Sequence, residues 1–145
     1  AVVVGVCTMK ANIPHPSHHV DGMINAQGTA DCGSVVMKEI YVKTTLEKGN
    51  GQRWPGEAYD SFNTRAGRSN SAIPCSTGAG TYRTVTSWVL YAPAGYAPSY
   101  STGTTYSAWT SVACGVSSRV ALQETTMSAG EPDIQKISIT TNKSG

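Results

Sequence analysis

Apolar residues in this chain recur with a period of two. From Val36 to Leu46 the even positions Val36, Ile40, Val42 and Leu46 are apolar, whereas the odd positions include Glu39, Lys43, Thr45 and Glu47. Successive side chains of a strand point to opposite faces, so this run is a strand with one face buried, and Lys38 is its one exception. Ala1 to Met9 and Val20 to Ala26 read as two earlier strands, the second ending in a turn at Gln27-Gly28. Tyr82 to Tyr91 carries β-branched and aromatic residues on both faces, as an inner strand would. Thr104 to Cys114, Ser117 to Thr125 and Ile134 to Thr141 supply three more, the last with Ile137 and Ile139 opposing Ile134, Lys136 and Ser138. Gly49-Asn50-Gly51 and Ala92-Pro93-Ala94-Gly95 mark turns. Nowhere do apolar residues hold helical spacing for three turns. The expected architecture is all-β: one antiparallel, immunoglobulin-like β-sandwich domain over residues 1–145, with about seven or eight strands.

Four cysteines, Cys7, Cys32, Cys75 and Cys114, constrain the chain further. None forms the closely spaced pair that structural zinc requires, so they are read as two disulfides. Of the three possible connectivities, Cys7 to Cys32 with Cys75 to Cys114 is preferred, because each bridge closes a segment that reads as strand, turn, strand. Each should contribute roughly 3 to 4 kcal/mol by restricting the unfolded chain. Bridges imply an oxidising compartment, and an opening of Ala1-Val2-Val3-Val4 without methionine is expected of a processed, exported domain. The protein is therefore expected to be secreted or extracellular.

Only 14% of the residues are charged, against about 25% in typical domains, so the surface should be neutral and rich in hydroxyls. The net charge is +2 and the basic residues are scattered from Lys10 to Lys143, which leaves no electrostatic footprint for nucleic acid. No stretch approaches the roughly 18 apolar residues of a membrane-spanning helix.

The run Cys75-Ser76-Thr77-Gly78, then Gly80-Thr81-Tyr82-Arg83, Ala92-Pro93-Ala94-Gly95-Tyr96-Ala97-Pro98 and Cys114 resembles small secreted bacterial β-sandwich proteins with two disulfides. The segment Pro14-His15-Pro16-Ser17-His18 ahead of Gly22-Met23-Ile24-Asn25-Ala26 and Cys32 is similar to the same group. The resemblance implies the fold class and export, and no activity.

Three constellations could carry chemistry. His15, His18 and His19 lie close to Asp21, and imidazoles with a nearby carboxylate can hold zinc or copper. However, Pro14 and Pro16 force an extended path that sends His18 and His19 to opposite sides, so no metal and no cofactor is expected. The aromatic stretch Trp88, Tyr91, Tyr96, Tyr100, Tyr106 and Trp109 is the second. Trp88 and Trp109 fall inside strand-like runs and are assigned to the interior. Tyr96 and Tyr100, flanked by Gly95, Pro98 and Ser99, are assigned to a loop that could stack on sugars or anchor a protein. The third is a polar excursion from Gln52 to Asn70, read as a long loop with Arg53, Trp54, Glu57, Tyr59, Asp60, Arg65 and Arg68. Glu57 and Asp60 are three apart there, which is weak ground for an acid and base pair.

No nucleophile elbow, zinc-protease motif or phosphate-binding glycine loop is present. The sequence therefore points to a non-catalytic protein-interaction or structural subunit of an extracellular assembly. Its partner would be a protein or a second copy, held through Val2, Val3, Val4, Tyr96 and Tyr100. The alternative is a carbohydrate-binding module using Tyr96 and Tyr100, and the third reading is a metal-dependent hydrolase through His15, His18 and His19. The apolar start and the alternating Ile134 to Thr141 are expected as edge strands, paired within the domain or added to a neighbouring subunit.

Overall fold

A computed structural model describes residues 2–16, 22–112 and 134–142. Among them are twelve strands and no α-helix. They are β1 (Val2–Ala11), β2 (His15–Pro16), β3 (Met23–Asp31), β4 (Met37–Lys48), β5 (Arg53–Pro55) and β6 (Tyr59–Thr64), followed by β7 (Ala66–Pro74), β8 (Gly80–Tyr91), β9 (Tyr96–Ala97), β10 (Tyr100–Tyr106), β11 (Thr110–Val112) and β12 (Ile134–Thr141). A single 3-10 turn spans Cys75–Thr77.

The strands form two antiparallel sheets. In the first, β7 pairs with β3, β3 with both β2 and β1, β1 with β12, and β12 with the short β9. In the second, β8 and β4 are the central strands. Along the free side of β4 lie β6 and then β5, and along the free side of β8 lie β10 and then β11. Both outer positions of this second sheet are therefore broken in the middle.

Serine hydroxyls close those breaks. Between β5 and β6 the Thr44 amide has no backbone partner across the gap, and it donates instead to Ser69 Oγ of β7 at 2.9 Å. Ser69 Oγ in turn donates to the Glu57 carbonyl at 2.6 Å, and Ser71 Oγ to the Trp54 carbonyl at 2.6 Å. Between β10 and β11, Ser107 Oγ accepts the Thr84 amide at 2.8 Å, while the Ser107 amide donates to the Thr84 carbonyl at 2.9 Å. A buried amide left unpaired would cost about 1–3 kcal/mol, so these serines stand in for missing ladder partners.

The inward residues of both sheets share two buried clusters. One contains Cys7, Met9 and Ile139 from the first sheet with Ile40, Val42, Trp88 and Leu90 from the second. The other contains Ile24, Ala26 and Ile73 with Leu46, Tyr82 and Val112. Between them runs a belt of buried hydroxyls, including Thr44, Thr84, Thr86, Ser69 and Ser71. Gly28 faces this belt: a Cβ there would collide with Thr86 Oγ1 and lie 2.6 Å from Thr44 Oγ1.

The bridge Cys7–Cys32 is present, with S–S 2.04 Å, and is buried in the first cluster. Cys75 is also disulfide-bonded; Cys114, its expected partner, lies outside the described residues.

Several expectations are corrected. Gly28 does not end the second strand in a turn, because β3 continues to Asp31 and the glycine serves the close approach to Thr44 and Thr86. Residues 52–70 are not a loop: they form β5, β6 and the start of β7. The inward positions of β7 carry Ser69 and Ser71 where apolar residues were sought, which hides the alternation. The expected strand Thr104 to Cys114 is two strands separated at residues 107–109. The terminal strands are edges in part, as expected: among the described residues β1 pairs with β3 only at Thr8–Ala11, so its start borders β12 alone, and β12 meets β9 only at Thr140 and Thr141. Lys38, the exception in its strand, is exposed because the alternation slips by one between the buried Met37 and Ile40. The expected strand Ser117 to Thr125 lies outside the described residues.

Candidate functional site

The outer face of the second sheet gathers most of the exposed aromatic rings. Strand register places Phe62 of β6, Glu39 of β4, Tyr91 of β8 and Tyr100 of β10 in one cross-strand row. At about 4.8 Å between strands, the row spans roughly 14 Å. Phe62 is 62% exposed, Tyr100 51% and Tyr91 37%. The Tyr91 and Tyr100 rings have centroids 5.1 Å apart, tilted by 52°. The next row places Asp60 beside Tyr41 and Val89.

Glu39 and Asp60 form a carboxyl pair against these rings. The hydrogen bond that Glu39 shares with Asp60 holds its carboxyl above the ordinary carboxylate range, desolvation and the negative charge of Asp60 add to this, and Lys38 opposes it. A folded-state value above the unfolded one means that the stabilising contribution is complete below the ordinary carboxylate range. It fades as the pH rises through the raised value. Glu39→Gln should therefore gain in thermal stability relative to the parent protein as the pH is raised from acid to neutral. Parallel melting curves across that range would contradict the pairing.

At the corner of this face is a depression of about 440 Å³ lined by Lys38, Tyr91, Pro93, Gly95, Tyr96 and Tyr100. Tyr96 and Tyr100, assigned together from sequence, thus meet at one site, but not on a common loop. Tyr96 lies in β9 and packs half-buried against the first core cluster, whereas Tyr100 opens β10 and is exposed.

The other end of the face, eight residues along β8 and so about 27 Å away, is a cationic stack. The Arg83 guanidinium lies 4.7 Å from the Tyr106 ring centre and 4.5 Å from that of Trp109. Arg83 also donates to Glu47 at 2.9 Å, and Glu47 binds Arg53 at 3.3 Å. Trp109 was expected inside; it is 42% exposed, because the break between β10 and β11 turns it outward onto Arg83. Trp88 is buried as expected.

The remaining sequence candidates fall elsewhere. His15 lies in β2 opposite Asn25, with its Nδ1 3.3 Å from the Ile13 carbonyl oxygen; His18, His19 and Asp21 lie outside the described residues. Val2 and Val3 of β1 are exposed and Val4 packs on the first core cluster. Asp60 meets Glu39 and not Glu57. Phe62, Tyr41 and Glu39 were not singled out from sequence, and Tyr59–Thr64 carries no apolar alternation that would have marked Phe62, since its two apolar residues, Tyr59 and Phe62, are three apart.

Compared with known proteins, the chain matches no family model and no curated sequence.

Proposed function

We propose that this chain is a secreted, non-catalytic β-sandwich of the immunoglobulin-like kind that holds a carbohydrate on the outer face of its second sheet. The observation that carries this reading is the exposed row of Phe62, Tyr91 and Tyr100 beside the Glu39 and Asp60 carboxyls. Ring faces cover the apolar C–H faces of a sugar, and a carboxylate accepts hydrogen bonds from neighbouring hydroxyls. The strands fix the backbone spacing of the rings, and each ring has only two side-chain torsions to order on binding. Export is supported by the disulfide, since such bonds persist in oxidising compartments.

Binding should be measured by calorimetry against a panel of soluble oligosaccharides and by pull-down on insoluble polysaccharides. For the glycan that binds, Tyr100→Ala and Tyr91→Ala should each weaken affinity roughly tenfold or more with thermal stability retained. The absence of any saccharide ligand, or unchanged affinity in the double variant, would defeat the reading. The alternative reading as a protein-interaction subunit draws on the exposed Val2 and Val3. It would show instead as a concentration-dependent mass in light scattering that deletion of residues 1–4 removes.

A further inference from the structure

The opposite face of the molecule holds a larger depression, of about 730 Å³, with a different chemistry. Its floor is the outer surface of the first sheet. Register puts Lys10 of β1, Thr29 of β3 and Arg68 of β7 in one row, and Thr8, Asp31 and Ala66 in the next. The two cations therefore stand on either side of Thr29, two strand spacings or about 10 Å apart. Lys10 and Arg68 are both exposed, and neither makes an ion pair among the described residues. Lys136 of β12 extends the positive charge, opposite Thr8.

One wall of the depression comes from the other sheet. Tyr59 of β6 lies across Gly67, whose missing side chain makes room for the ring: a Cβ there would collide with Tyr59 Cδ1 and Cε1. The phenol donates to the Ala66 carbonyl at 3.2 Å, which fixes the ring at the rim. Asp31 is fixed too, since its Oδ1 accepts the Gly33 amide at 2.8 Å.

We propose that this depression binds a carboxylate-bearing sugar unit, a hexuronate. The two unpaired cations match a carboxylate. The Asp31 carboxylate and the Thr8 and Thr29 hydroxyls match sugar hydroxyls, and the Tyr59 ring matches the apolar face of a pyranose. A simple inorganic anion would leave Asp31 opposing it, and a neutral sugar would leave both cations unmatched. The site is independent of the aromatic face on the second sheet.

The test is an amide chemical-shift titration with three probes: glucuronate, glucose and inorganic sulfate. Glucuronate should shift Thr8, Thr29 and Arg68 saturably, and more tightly than either other probe. Lys10→Ala and Arg68→Ala, both at exposed positions, should each weaken that binding roughly tenfold with an unchanged melting temperature. Tyr100→Ala should leave it unaltered, which separates this site from the aromatic face. No saturable shift, equal binding of sulfate or glucose, or undiminished binding in the Lys10→Ala/Arg68→Ala double variant would overturn the proposal.

Discussion

Trp88→Ala is expected to destabilise the domain by about 3–5 kcal/mol. Trp88 is 2% exposed, sits in the middle of β8 and belongs to the larger core cluster. Its indole N–H donates to Thr105 Oγ1 at 3.0 Å, and its ring covers Gly103, where a Cβ would come within 2.5 Å of Cζ2. Alanine would leave a cavity against a strand that already lacks a side chain at Gly103, and would strip a buried threonine hydroxyl of its donor. Trp109→Ala is the internal control. That ring is exposed and its contact with Arg83 is worth about 0.5–1 kcal/mol, so the two tryptophan variants should differ severalfold in their loss of stability. Urea unfolding reads both, and comparable midpoints would contradict the placement of the two rings.

Loss of the Cys7–Cys32 bridge should have an effect of similar size. The bond closes 25 positions of sequence, for which restriction of the unfolded chain gives about 3–4 kcal/mol. Both sulfurs are buried among Met9, Trp88 and Ile139, so Cys7→Ser with Cys32→Ser would add two hydroxyls to an apolar cluster. Cys7→Ala with Cys32→Ala avoids that second effect and isolates the first. The alanine pair should lower stability by the amount above and the serine pair by more. Equal stability of parent and alanine pair would show that the bridge contributes nothing to the fold.

What the sequence disclosed and what it hid have a common physical origin. Apolar alternation marks strands whose inward positions are apolar, and it located β1, β4, β8 and β12, as well as the inner position of β8. It failed where the interior is lined with hydroxyls. In β7 the inward residues are Ser69, Ser71 and Ile73, so β7 and its short neighbours read as a polar loop. Gly28 carried the mark of a turn because a glycine chosen for interior space is indistinguishable, in one sequence, from one chosen for φ. The candidate site was half visible. Tyr91, Tyr96 and Tyr100 stood out as rings close together in the chain. Glu39, Asp60 and Phe62 join them only through the β4 to β6 and β4 to β8 registers, and register between distant segments is not written in local pattern.

The interrupted borders of the second sheet bear on how readily another strand could extend it. An unbroken border strand offers a continuous row of amide donors and carbonyl acceptors to any passing chain. Here each border is two short strands with a gap between them, and Ser69, Ser71 and Ser107 occupy the groups at those gaps. Among the described residues the longest unbroken run on these borders is the seven residues of β10, and an incoming strand paired there would lose its partners at the gap. The aromatic face is therefore framed by borders on which added β-structure would be interrupted, a limit on strand addition that comes from the backbone path itself.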